Sequence, residues 1–156
     1  MIKSDFVDKK DRMGKVEEEK FRQLFKNIKC YILRIPDYAT TGIRSKSPSD
    51  FLVICRGRSY MFEVKHTYSL TSISFDQITE QQLISLRQHK EKGDAESYVV
   101  FFNPKGIWIV DVTYVISYMT TSTRKSIPFT YIKEYGINPN IFIENLIKVS
   151  IKPSVL

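Results

Sequence analysis

Asp50, Glu63 and Lys65 are the side chains of this sequence best placed to do chemistry together. They lie in SPSDFLVICRGRSYMFEVKHT, residues 47–67, where two apolar runs, 51–55 and 60–64, flank the basic turn Arg56-Gly57-Arg58-Ser59. Two β-rich runs around a Gly-containing turn read as a hairpin. Asp50 opens the first strand, and Glu63 and Lys65 close the second. Side chains alternate along a strand, so Glu63 and Lys65 share one face while Phe62 and Val64 take the other. Two carboxylates meeting at one end of a hairpin can hold a hard divalent cation, with a lysine ammonium beside it. Mg²⁺ suits such an all-oxygen set, and Mn²⁺ substitutes for it. Any one of these residues alone is explained by a solvated Glu–Lys pair on a surface hairpin. The joint pattern is more specific.

That pattern resembles the PD-(D/E)xK nuclease superfamily. Pro48 and Asp50, with Ser49 between them, fit its first element, and Glu63-Val64-Lys65 its second. The resemblance implies a metal-dependent phosphodiester hydrolase. Asp50, Glu63 and the Val64 carbonyl would hold Mg²⁺, and Lys65 would orient a water and stabilise developing negative charge. The superfamily's Gly-x-x-x-Glu on a first helix is matched by Gly14 and Glu18, which makes Glu18 the residue completing the metal site and Glu17 the competing one. Further on, ITEQQLISLRQHKEKG and the following VVFF resemble the Gln-x-x-x-Leu…Gly helix and strand of RecU-like Holliday-junction resolvases, and Gln82 with Leu86 gives that spacing. Gln82 thereby joins the expected catalytic set. The family implies four-way DNA junctions as substrate and a homodimer as the working form; with no nucleotide-binding signature in the sequence, no nucleotide cofactor is expected. Its long stalk is reduced here to the loop 37–47. His66, directly after the motif, is read as a bystander.

Elements must position these groups. Phe21, Leu24, Phe25 and Ile28 fall on one side of a helix predicted over 14–28, with Glu17, Glu18 and Glu19 in its first turns, where the helix dipole favours negative charge. Residues 29–35 read as a strand ended by Pro36. A helix over 77–92 presents Ile78, Leu83, Leu86 and His89, and Gly93-Asp94 stops it. Residues 97–103 and 107–112 are nearly continuous apolar strands, which implies burial on both faces and helices covering the sheet. Trp108 reads as core. A short helix over 114–119, segments at 124–129 and 131–135, and a final helix over 141–149 close the chain. The expected architecture is α/β, a restriction-endonuclease-like core with a central mixed sheet flanked by helices.

At 156 residues the chain is long enough for one cored domain, expected over 14–156 behind a mobile charged arm, 1–13. An apolar fraction of 42% argues against disorder, and no apolar stretch approaches the ~20 residues of a membrane span. The charged start reads as no leader, so the expected location is the cytoplasm. Cys30 and Cys55 sit in apolar strands without partners at zinc spacing and are read as buried thiols. A formal net charge of +7 points to a polyanionic partner. Arg44, Lys46, Arg56, Arg58 and Thr67 are the candidate DNA contacts. Two other readings stand beside junction resolution: a restriction-like or repair endonuclease on duplex DNA, and a non-catalytic DNA-binding protein. Clustered carboxylates next to DNA argue against the second.

Overall fold

In the computed structural model, residues 15–36, 49–93 and 95–149 are described. The arm 1–13, Gly14 and the loop 37–47 with Arg44 and Lys46 lie outside them. Residues 15–23 form helix α1, shorter than the sequence suggests, because residues 24–28 turn instead of continuing it. Then follow β1 (Cys30–Arg34), β2 (Phe51–Cys55) and β3 (Arg58–His66). The β2–β3 turn is the pair Arg56-Gly57, both at positive φ (52° and 79°), the two-residue hairpin geometry that matches strand twist. After a loop come β4 (Ser72–Ser74), a 3-10 turn at Phe75–Gln77, α2 (Glu80–Gly93), β5 (Glu96–Asn103) and β6 (Gly106–Asp111). The chain finishes with α3 (Val112–Thr121), β7 (Ser126–Pro128), α4 (Phe129–Tyr135) and α5 (Pro139–Val149).

Five strands make one mixed sheet in the order β1-β2-β3-β5-β6. The β3–β5 pair is parallel, with Glu63 opposite Val99, and the other pairs are antiparallel. A parallel pair needs a long crossover, and α2 supplies it. The apolar runs behave as their composition demands. Tyr98, Val100 and Phe102 of β5 enter one core with Phe21, Phe25, Phe51, Phe62 and Phe142. Val99 and Phe101 enter a second core, on the other face, with Ile73, Leu83, Leu86, Val115 and Ile132. On the first face Phe21 stacks on Phe51 at 4.5 Å, which locks α1 across the strands. Trp108 packs against the second core, 5.6 Å from Phe129.

Two further features differ from the sequence reading. Residues 72–74 are not loop but pair with β7 as a separate two-stranded sheet. Three-residue strands carry too little alternation to be seen in sequence. Cys30 and Cys55 are not free thiols. They are register partners on β1 and β2, Cα–Cα 4.4 Å, and form a disulfide. Among the described residues no helix is long and apolar enough to cross a membrane.

Candidate active site

The site forms at the end of β3, on the face covered by α2. Phe51 pairs with Phe62, and both point into the α1 core, so the flanking Asp50 and Glu63 point the other way. Backbone bonds hold Asp50 in place: its N–H donates to the Phe62 carbonyl (3.1 Å) and its carbonyl accepts from Ile35 N–H (2.9 Å). Its side chain accepts from Val64 N–H at 2.7 Å, tying the start of β2 to the Glu-Val-Lys segment. Val64 therefore contributes a defined contact to Asp50 through its N–H.

Glu63 is 2% exposed, an extreme value for a carboxylate. Its Oε1 meets Lys65 Nζ at 2.9 Å and Gln82 Nε2 at 2.5 Å. Lys65 Nζ also donates to Gln82 Oε1 at 3.1 Å, which closes a triangle of acid, ammonium and amide. Gln82 comes from the first turn of α2, and its position is set by a capping box. Thr79 Oγ1 accepts from Gln82 N–H (3.3 Å), and Gln82 Oε1 accepts in return from Thr79 N–H (3.0 Å). The motif Thr79-x-x-Gln82 is readable in the sequence, and it gives Gln82 a local role besides the one taken from the family spacing.

Burial holds the Asp50 carboxyl above the usual carboxylate range, and the charge of Glu18 adds to that. Val64 N–H, Lys65 and Arg34 pull the other way without overcoming it. Glu18 is thus electrostatically coupled to Asp50, and its carboxylate pairs with Arg34 Nε at 2.9 Å. Sequence reasoning did not find Arg34, because its role depends on where α1 crosses the end of β1. Glu17, one position away, turns to the other side and lies 3.7 Å from His66.

Among the described residues, the DNA-contact candidates Arg56, Arg58 and Thr67 are not brought together. Arg56 and Arg58 are exposed at the opposite end of the hairpin. Seven positions at ~3.3 Å per residue put Arg58 roughly 23 Å from Lys65 along the strand. Arg56 also donates to the Ile147 carbonyl of α5 at 3.1 Å. Thr67 follows β3 directly, and its hydroxyl accepts from Ser69 N–H (3.1 Å) to shape the next loop.

Among the described residues no three His, Cys, Asp or Glu side chains are grouped closely enough to hold a metal by themselves. Mg²⁺ does not require three, since it keeps several waters and is bound through one or two carboxylates plus substrate phosphate. Asp50 and Glu63 are a set of that kind. Asp50, half-buried and held above the usual carboxylate range by desolvation, is a carboxylate whose charged form a divalent cation would favour.

The family described as recombination protein U matches this chain over residues 26–153. A Holliday junction resolvase RecU of Ureaplasma parvum serovar 3 is 31% identical over 111 residues, which is 70% of this chain and 65% of that protein. The aligned region thus spans a little under two thirds of the relative's length. Among solved structures, Hjc, a Holliday junction resolvase of the archaeal hyperthermophile Archaeoglobus fulgidus, has a similar fold. Its TM-score is 0.60 at 17% identity, with coverage of 85% of this chain and 98% of that one. The matched span takes in β1 through α5 and every candidate catalytic residue except Glu18, and on that ground the chain belongs to the recombination protein U family.

Proposed function

We propose that this chain is a metal-dependent endodeoxyribonuclease that resolves four-way DNA junctions in recombination and repair. It works in the cytoplasm as a homodimer of one nuclease domain over residues 14–156. The observation that carries the reading is the Glu63–Lys65–Gln82 triangle with Asp50 across the strand pair, in a chain of this family. Asp50 and Glu63 are the residues that would hold Mg²⁺, with Glu18 assisting from beside Asp50 and the Val64 carbonyl as a fourth donor. A cation held by these residues would polarise the scissile phosphate and acidify a water. Lys65 puts a positive charge where negative charge develops on the phosphate oxygens. Gln82 grips both Glu63 and Lys65, so the acid and the ammonium meet the phosphate in fixed orientation. The junction as substrate follows the name of the relative from Ureaplasma parvum.

The test uses a labelled four-way junction and a linear duplex of the same sequence in Mg²⁺. The chain should cut the junction. Asp50→Asn, Glu63→Gln and Lys65→Ala should each lower cleavage by at least ~10²-fold, the scale of losing one electrostatic stabiliser. Binding should persist, because phosphate contacts elsewhere supply most of it. Wild-type cleavage by Asp50→Asn would show the site to be wrong. Equal cutting of the linear duplex would favour a restriction-like or repair endonuclease.

A further inference from the structure

Behind the catalytic strand end, on the face opposite Lys65, lies a cavity of about 620 Å³. That size falls within the ~300–1,000 Å³ of small-molecule sites. Among the described residues, one buried polar atom of each of two side chains in its lining has no hydrogen-bond partner. Glu17 is 6% exposed; among the described residues its Oε2 accepts no hydrogen bond and has Lys20 Nζ at 3.6 Å, while its Oε1 lies 3.7 Å from His66 Nε2. Asn103 is 9% exposed; its Oδ1 accepts from Lys105 N–H at 2.8 Å, which fixes the orientation of the amide and leaves Nδ2 as a donor without an acceptor. Buried polar atoms in native interiors are as a rule completed by a protein group, an ordered water, an ion or a ligand.

The wall is Tyr68, 66% exposed, with its ring edge-on to His66 at 4.8 Å. The loop that carries it is braced. Thr67 N–H donates to the Phe102 carbonyl (3.0 Å), and Ser69 Oγ accepts from Ser72 N–H (3.2 Å). The loop that carries the ring is therefore anchored on both sides of it. Lys20 and Lys105 complete the lining with two ammonium groups.

An acceptor, a donor, an aromatic plate and two cations together match one ligand class. Every nucleobase presents an adjacent donor and acceptor on its pairing edge and a face that stacks, and its phosphates take lysines. We propose that this cavity receives one unpaired nucleotide of the DNA, its base against Tyr68 and its edge on Glu17 and Asn103. The proposal rests on the endonuclease reading and adds a source of shape selectivity to it. Taking a nucleotide out of the stack is least costly where pairing is already broken, as at a branch point. The cavity begins at His66, one residue beyond Lys65 and on the other face of the same strand end.

The experiment places 2-aminopurine at the branch of a four-way junction, or within an arm, and titrates the full chain in metal-free buffer. The chain should change the emission of the branch probe and leave the arm probe unchanged. Tyr68→Ala should abolish the change and weaken junction binding about 10-fold while linear-duplex binding holds, and Tyr68→Phe should restore both. Unchanged affinity and emission with Tyr68→Ala would overturn the nucleotide site, whatever the cleavage result. Loss of both signals with Tyr68→Ala in a chain that cuts nothing in Mg²⁺ would support the site and overturn the nuclease reading.

Discussion

The amide of Gln82 is divided between the cap of α2 and the acid–ammonium pair of β3. Two substitutions separate these duties. Thr79→Ala removes the hydroxyl that accepts Gln82 N–H and leaves the strand contacts alone. It should lower stability by about 1 kcal/mol, as for a lost cap, with a smaller effect on cleavage. Gln82→Ala removes both duties and should lower cleavage by a further ~10-fold or more. Melting curves and junction cleavage on the two variants check this, and Gln82→Ala cutting as fast as Thr79→Ala would contradict it. A second comparison concerns the acidic run of α1. The charge of Glu18 acts on Asp50, whereas Glu17 faces the cavity and Glu19 bonds Gln23 on the surface. Glu18→Gln should therefore impair cleavage more than Glu17→Gln or Glu19→Gln, measured at saturating DNA. Asp50, Glu63 and Lys65 were legible because motif and strand alternation together define them. Arg34 was not, since nothing local to β1 says which helix passes its end.

At the scale of elements, the helix α2 is fastened at its far end as well. His89 Nδ1 lies 2.8 Å from Ser97 Oγ of β5, and Nε2 lies 3.2 Å from Ser59 Oγ of β3. Burial holds this ring below its ordinary pKa of 6.5, so it is neutral in the fold. The unfolded chain takes up a proton near 6.5 while the folded chain takes one only at lower pH. The contribution of His89 is thus complete above about pH 6.5, declines as pH falls below it, and levels off below the folded value. Urea midpoints from pH 7.5 to 5 should fall more steeply for wild type than for His89→Gln; parallel lines would refute this coupling. Most elements were readable from periodicity: the apolar runs of β5 and β6 and the helical spacing of Leu83 and Leu86. The β4–β7 pairing and the Cys30–Cys55 link were not. Both depend on which distant segments become neighbours, and Cys30 and Cys55 are 25 positions apart.

For the whole molecule, a net charge of +7 sets the background against which shape must be recognised. Phosphate contacts weaken log-linearly with salt, so junction and duplex are compared only at matched ionic strength. A four-way junction has two equivalent scissile strands, and a two-fold dimer brings one site to each. The chain should sediment as a dimer at micromolar concentration, bind the junction more tightly than duplex across a salt series, and nick it symmetrically. A strict monomer, or equal affinities throughout, would exclude resolution while leaving hydrolysis intact. One further consequence comes from where the four central groups sit along the chain. Asp50, Glu63, Lys65 and Gln82 all come from positions 50 to 82, assembled by one hairpin and the cap that follows it. The four candidate groups are thus contributed by one contiguous stretch of 33 residues. Of the groups argued to act on the phosphate, Glu18 alone comes from outside this segment, carried by α1.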